Sequence, residues 1–167
     1  MEDLTHGIPC DSLAHGSMSG GIVQRRLVPS DGLPYSDAMY RLCFHRDFPA
    51  RHHLVGGDWG AENSLHGHVY RIEWELRGAE LDRHGFLVDL VDVERALGSI
   101  LERYKDAVLN ELPEFRGENP SLERFAAILW DRLSAALPAG TQSSVRLWED
   151  SLAWAGYEPH GHDRKKE

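Results

Sequence analysis

From residue 40 onward, apolar and polar positions alternate in two long runs and then change period. In "YRLCFHRDFPARH", Tyr40, Leu42, Phe44, Phe48 and Ala50 share one parity and His52 closes it. Arg46 interrupts the apolar series, which suggests a bulge or proximity to a functional site. Pro49 has no N–H to give a ladder, so pairing is expected to stop there or to lie at a sheet edge. The second run, "HGHVYRIEWELRG", places His66, His68, Tyr70, Ile72, Trp74 and Leu76 on one parity. A strand sends alternate side chains to opposite faces, so both runs predict half-buried strands.

"GAELDRHGF" then reads as a hairpin connection into a short strand, "FLVDL". Asp89 is placed to cap a helix running to about Tyr104, with Leu90, Val93, Leu97, Ile100 and Leu101 as its apolar stripe. A second helix begins at Ser121 and buries Leu122, Phe125, Ala126, Leu129, Trp130 and Leu133 before "PAG" stops it. "SVRLWED" reads as a last strand, with Val145, Leu147 and Glu149 on one parity. The pattern predicts an α+β fold in which an antiparallel four-stranded sheet carries two helices on one face.

Outside these elements, residues 1–38 are rich in Gly, Ser, Pro and Asp, show no sustained period, and read as a flexible extension. Met39 stands where a shorter chain could start. One domain is expected over residues 39–158, followed by a charged tail over 159–167. A net charge of -9 argues against nucleic acid as a partner, because no basic stripe exists to neutralise phosphates. The basic cluster "DRKK" lies in the tail. No apolar stretch approaches membrane-spanning length, and no signal-peptide core is evident. Cys10 and Cys43 supply no disulfide framework, so the cytoplasm is the expected compartment.

His52, His66 and His68 change the picture. All three sit at strand ends on the apolar parities, and in an antiparallel hairpin the end of one strand lies beside the start of the next. Three neutral imidazoles with an open fourth position make a catalytic type of zinc site. The alternative is a set of hydrogen-bonded core histidines. The chain repeats His-x-His at His160 and His162, but in a charged tail with no alternation around it, where a built site is not expected.

Together these segments resemble the 6-pyruvoyl-tetrahydropterin synthase and 6-carboxytetrahydropterin synthase family. "FPARH" fits its Phe-x-Ala-x-His segment, "LHGHVY" its His-Gly-His-x-Tyr segment, and "DRHGFLVDLVDV" its Gly-Met-Val-x-Asp-Phe stretch. Leu109–Asn110, "NPSLE" at 119–123 and "VRLWED" follow in the family's order, so the likeness spans about residues 39–158. It implies a tunnelling fold (T-fold) assembled as a homo-oligomer, commonly a hexamer. It also implies zinc on His52, His66 and His68, a small-molecule pterin substrate and a pterin anchor at Glu149. A carboxylate suits that last role because it accepts two parallel N–H bonds from a pterin edge. Without a ligand such an inward acid needs hydration or a raised pKa.

The chain departs from the family where protons are handled. Glu62 stands four residues before His66, where carboxytetrahydropterin synthases carry a catalytic cysteine. The family's Asp-His pair in Leu-Asp-His-x-x-Leu-Asn aligns with Lys105 and Asp106. Glu62 is therefore a candidate base, with Asp106 as its negative neighbour or relay; Lys105 would oppose the effect. A carboxylate is a weak base in neutral water and needs desolvation or such a neighbour to gain strength. Alternatively Glu62 ligates the metal and closes the site, or is a loop surface residue. A related branch of the family carries glutamate at this place and cleaves the side chain to 6-hydroxymethyl-7,8-dihydropterin for folate synthesis.

The resemblance implies a zinc-dependent lyase acting on 7,8-dihydroneopterin triphosphate, within queuosine, tetrahydropterin or folate routes. A catalytically idle pterin- or metal-binding protein is the rival reading. Arg51, Arg71 and Lys105 are candidate phosphate contacts. His53 falls on the face opposite His52, and His84 falls in a turn.

Overall fold

The computed structural model describes residues 39–159. The expected N-terminal extension, His160 and His162, and the tail beyond Pro159 lie outside the described residues. Strand β1 (Tyr40–His52) and strand β2 (His66–Gly78) form a long antiparallel pair. Helix α1 (Leu90–Leu101) and helix α2 (Leu122–Ser134) follow, then β3 (Gln142–Trp148) and β4 (Trp154–Tyr157). The sheet order is β1-β2-β3-β4, every neighbour antiparallel.

One parity of the sheet makes the core. Phe48, Ala50, Tyr70, Ile72, Trp74, Leu76, Val145 and Leu147 are buried with Val93, Leu97 and Leu101 of α1 and Phe125, Ala126, Leu129 and Leu133 of α2. Each such large side chain contributes roughly 1.5–3 kcal/mol by leaving water. Both helices start as their sequence signals. Asp89 accepts from Val91 N–H and Ser121 from Arg124 N–H, satisfying donors that a first turn leaves open.

The opposite parity is polar. Asp47 and Arg71 pair at 2.8 Å, His45 and Arg146 flank Glu73 at 3.7 and 3.8 Å, and Arg41 lies 4.0 Å from Glu75. Exposed pairs of this kind stabilise little individually, but they mark this face as one that takes no further helix layer.

Two expectations fail on the strands. "FLVDL" forms no strand. The Asp82 carboxylate accepts from His84 and Phe86 N–H at 2.8 and 2.9 Å, and Asp82 N–H donates to Phe86 C=O. With Gly85 at a φ of 84°, these bonds curl the segment into a closed turn. Val88 then drops into the core while Phe86 stays exposed. The fourth strand is instead Trp154–Tyr157, turned back onto β3 where Asp150 accepts from Leu152 and Ala153 N–H. Smaller differences follow. α1 ends at Leu101, three residues before Tyr104, and its expected stripe residue Leu90 is exposed. Arg46 pairs in register with Ile72, is exposed and causes no bulge. Pro49 sits in β1, which is an edge of the sheet, where a missing N–H is tolerated.

Candidate metal centre

The β1–β2 register fixes the centre. His52 pairs with His66 and Ala50 with His68, so three imidazoles on the apolar parity meet at one end of the sheet. The ring of His52 lies 4.5 Å from that of His66 and 5.1 Å from that of His68, and the latter two are 4.8 Å apart. His52 is 3% exposed.

Backbone carbonyls set the tautomers. His52 Nδ1 lies 3.2 Å from Pro120 C=O, and His66 Nδ1 lies 2.8 Å from Ser64 C=O. A carbonyl can only accept, so both Nδ1 atoms carry the proton, and a neutral ring then presents a bare Nε2. Nε2 of His52, His66 and His68 are all buried and without a hydrogen-bond partner. Carbonyl-oriented rings with unmatched inward nitrogens are the arrangement a metal ligand requires.

Two carboxylates flank the rings. Glu149 follows β3 on the parity of the buried Val145 and Leu147, and points inward as its alternation predicts. Its Oε1 lies 3.2 Å from His52 Nε2 and 3.4 Å from His68 Nε2, as electrostatic contacts rather than directional hydrogen bonds. Tyr70 O–H donates to the same oxygen at 3.3 Å. Glu62 stands on the single turn Gly60–Asn63 and brings Oε2 to 3.0 Å from His66 Nε2. One ligand atom each from His52, Glu62, His66 and His68 falls within 4.8 Å of the others.

The local field follows from this packing. The contact with His52 holds the Glu149 carboxyl below the usual range against the opposing effect of burial, with His68 and Tyr70 adding to it. Burial pushes His52 down, but the Glu149 carboxylate outweighs it and leaves that imidazole raised. His68 goes the other way, lowered chiefly by burial. Burial and Glu149 together drive the Tyr70 phenol far up, so it remains a donor.

Three asparagines hold the loop after β1. Asn110 accepts from His53 N–H at 3.0 Å and donates to His53 C=O at 2.8 Å; Asn119 does the same with Val55 at 2.8 and 3.0 Å. Asn63 donates to Leu54 C=O at 2.9 Å, and Leu54 N–H donates to Glu62 C=O at 2.7 Å. Tyr70 and these amides are the contributors that alternation alone does not single out. Tyr70 shares the histidines' parity, and Asn110 and Asn119 lie in Leu109–Asn110 and "NPSLE", two of the family-like segments.

The remaining candidates are not among the ligand atoms gathered there. Asp106 is exposed at a φ of 61°, a conformation Asp tolerates better than most residues. Its N–H donates to Pro49 C=O at 2.8 Å and its carbonyl accepts from Arg51 at 3.3 Å, so its visible contacts are those of a turn. Lys105 pairs with Glu102 at 3.4 Å, and Arg71 with Asp47 on the polar face. His53 is held by its backbone, and His84 accepts from Arg83 in the Asp82 turn.

The 6-pyruvoyl tetrahydropterin synthase family model matches residues 41–162. The 6-carboxy-5,6,7,8-tetrahydropterin synthase of Bacillus subtilis is 27% identical over 144 residues, 80% of this chain and 93% of that protein. The 6-pyruvoyl tetrahydrobiopterin synthase of Poecilia reticulata is 27% identical over 86 residues, which span 50% of this chain and only 58% of that protein. Among solved structures, the 6-pyruvoyl tetrahydropterin synthase of Caenorhabditis elegans superposes with a TM-score of 0.65 at 19% identity, over 74% of this chain and 97% of that one. The Plasmodium vivax enzyme, in a variant whose catalytic glutamate is replaced by alanine, gives 0.61 at 14% identity, over 74% and 99%. At such identities the structural likeness is one of fold, and these neighbours carry the T-fold.

Proposed function

Because the chain belongs to the 6-pyruvoyl tetrahydropterin synthase family, we propose that it is a zinc-dependent lyase acting on 7,8-dihydroneopterin triphosphate. The observation that carries this reading is the convergence of three buried imidazole Nε2 atoms, none with a directional hydrogen bond, beside two carboxylates. His52, His66 and His68 are the residues that would hold the metal. Zinc, when bound, supplies a Lewis acid for an oxygen of the substrate side chain. Glu149 accepts two N–H bonds from the pterin edge and so orients the ring, while Tyr70 braces its carboxylate. Glu62, half exposed at the mouth, takes a proton from a side-chain carbon. The electron pair left behind forms a double bond and expels triphosphate across the adjacent C–O bond.

Asp106 is not one of the ligand groups gathered at the histidines, and in this reading it acts as a relay for Glu62 only where a neighbouring copy in a homo-oligomer supplies it. No helix among the described residues is long and apolar enough to cross a membrane.

Glu62 favours a second product. The Plasmodium vivax relative also works with a catalytic glutamate, and side-chain cleavage to 6-hydroxymethyl-7,8-dihydropterin is the alternative outcome for a base of that kind. Incubating zinc-loaded protein with the triphosphate and identifying the released pterin by mass spectrometry separates the two. At saturating zinc, Glu62→Gln is expected to lower turnover by about a hundredfold or more. Stoichiometric pterin binding with no product would overturn the enzyme reading and leave a binding protein.

A further inference from the structure

Glu62 differs from Glu149 in how it is held. Its main chain is fixed, with N–H donating to Trp59 C=O at 3.3 Å and C=O accepting from Leu54 at 2.7 Å. Its side chain is 46% exposed, and among the described residues its one ion pair is with His66. Glu149, by contrast, is tied to His52, His68 and Tyr70. The set of ligand atoms within 4.8 Å of one another contains Glu62 and not Glu149.

Three imidazoles alone leave a metal open, whereas three imidazoles and a carboxylate complete a four-donor site. We infer that Glu62 is the fourth metal ligand in the substrate-free protein, and that arriving substrate displaces it. The inference rests on the proposed metal site. Displacement is mechanically simple: rotation about the Glu62 side-chain bonds frees the carboxylate while the loop backbone keeps its hydrogen bonds. It also couples two events. A carboxylate whose lone pair sits on a cation takes no proton, so one rotation both opens the fourth position and releases a base beside the substrate. The site is closed at rest and armed by what it binds.

Cobalt(II) in place of zinc reports the donor set through its visible absorption, independently of turnover. Chelator competition on the full chain is expected to show Glu62→Gln and Glu62→Ala binding cobalt at least about tenfold more weakly than wild type. Glu62→Ala should also have an altered spectrum, with Glu62→Asp intermediate. Neopterin, a pterin without a phosphate leaving group, should move the wild-type spectrum toward that of Glu62→Ala. Equal affinity and an unchanged spectrum in Glu62→Ala would overturn the inference. If turnover still collapsed in Glu62→Gln, the function proposed above would survive that result. Weakened cobalt binding with turnover intact at saturating metal would support the ligand and remove the base. Failure of wild type to bind cobalt would overturn site and inference together.

Discussion

Glu114 and Glu149 are both largely withdrawn from water, with side chains 11% and 25% exposed, and they are satisfied in opposite ways. Glu114 receives both nitrogens of the Arg103 fork at 2.7 Å, a bond from Arg132 at 3.1 Å and another from Tyr104 at 3.1 Å. Every donor aimed at it finds an acceptor with good geometry. Glu149 faces imidazoles whose Nε2 atoms remain without a hydrogen bond. A saturated cluster stabilises the fold and has nothing left to offer a ligand; an unsaturated one holds its groups ready for something to come. The contrast separates a structural charge centre from the candidate functional one within the same small domain.

The largest expected effect lies at the unsaturated cluster. His68→Ala should lower metal affinity by more than about a hundredfold, read as metal per chain by plasma mass spectrometry after dialysis. Circular dichroism should stay unchanged. A variant that keeps its metal would erase the distinction.

Next comes the saturated cluster. Glu114→Gln should leave metal content alone and cost about 2 kcal/mol of folding stability, seen as a lower denaturation midpoint. Acid should have the same effect on wild type. The Arg103 fork holds the Glu114 carboxyl at about 2, against 4.5 when free. Its stabilisation is therefore complete above pH 4.5 and drains as pH falls toward 2. Glu114→Gln should lose less stability than wild type across that window; parallel losses would show that the cluster contributes nothing.

The smallest effect sharpens the border between the two kinds of centre. Tyr70→Phe removes one donor from Glu149, and should weaken neopterin binding by about fivefold, roughly 1 kcal/mol, in a fluorescence titration. Metal affinity should not change.

Much of this architecture was legible in the chain. Alternation located both long strands, and their antiparallel pairing brought His52, His66 and His68 together. Capping residues marked the start of each helix. What escaped was governed by side chains that imitate the backbone. Asp82 curls "FLVDL" away from the sheet, and Asp150 turns a four-residue segment into β4, too short to show a period of its own. Asn110 and Asn119 were visible as motif residues but not as clamps, because hydrogen bonds spanning 57 and 64 residues leave no local pattern. The left-handed turn at Asp106 was hidden for the same reason.

Those clamps bear on how the protein can vary. Leu54 N–H donates to Glu62 C=O at the foot of the loop, and Asn63, Asn110 and Asn119 all fasten residues near that foot. Asn63 reaches the rim as well, accepting from Trp59 N–H at 2.8 Å and donating to Gly57 C=O at 3.1 Å. Sequence drift in this loop should therefore be tolerated least at the three asparagines, because losing any one of them releases at least two main-chain groups at once.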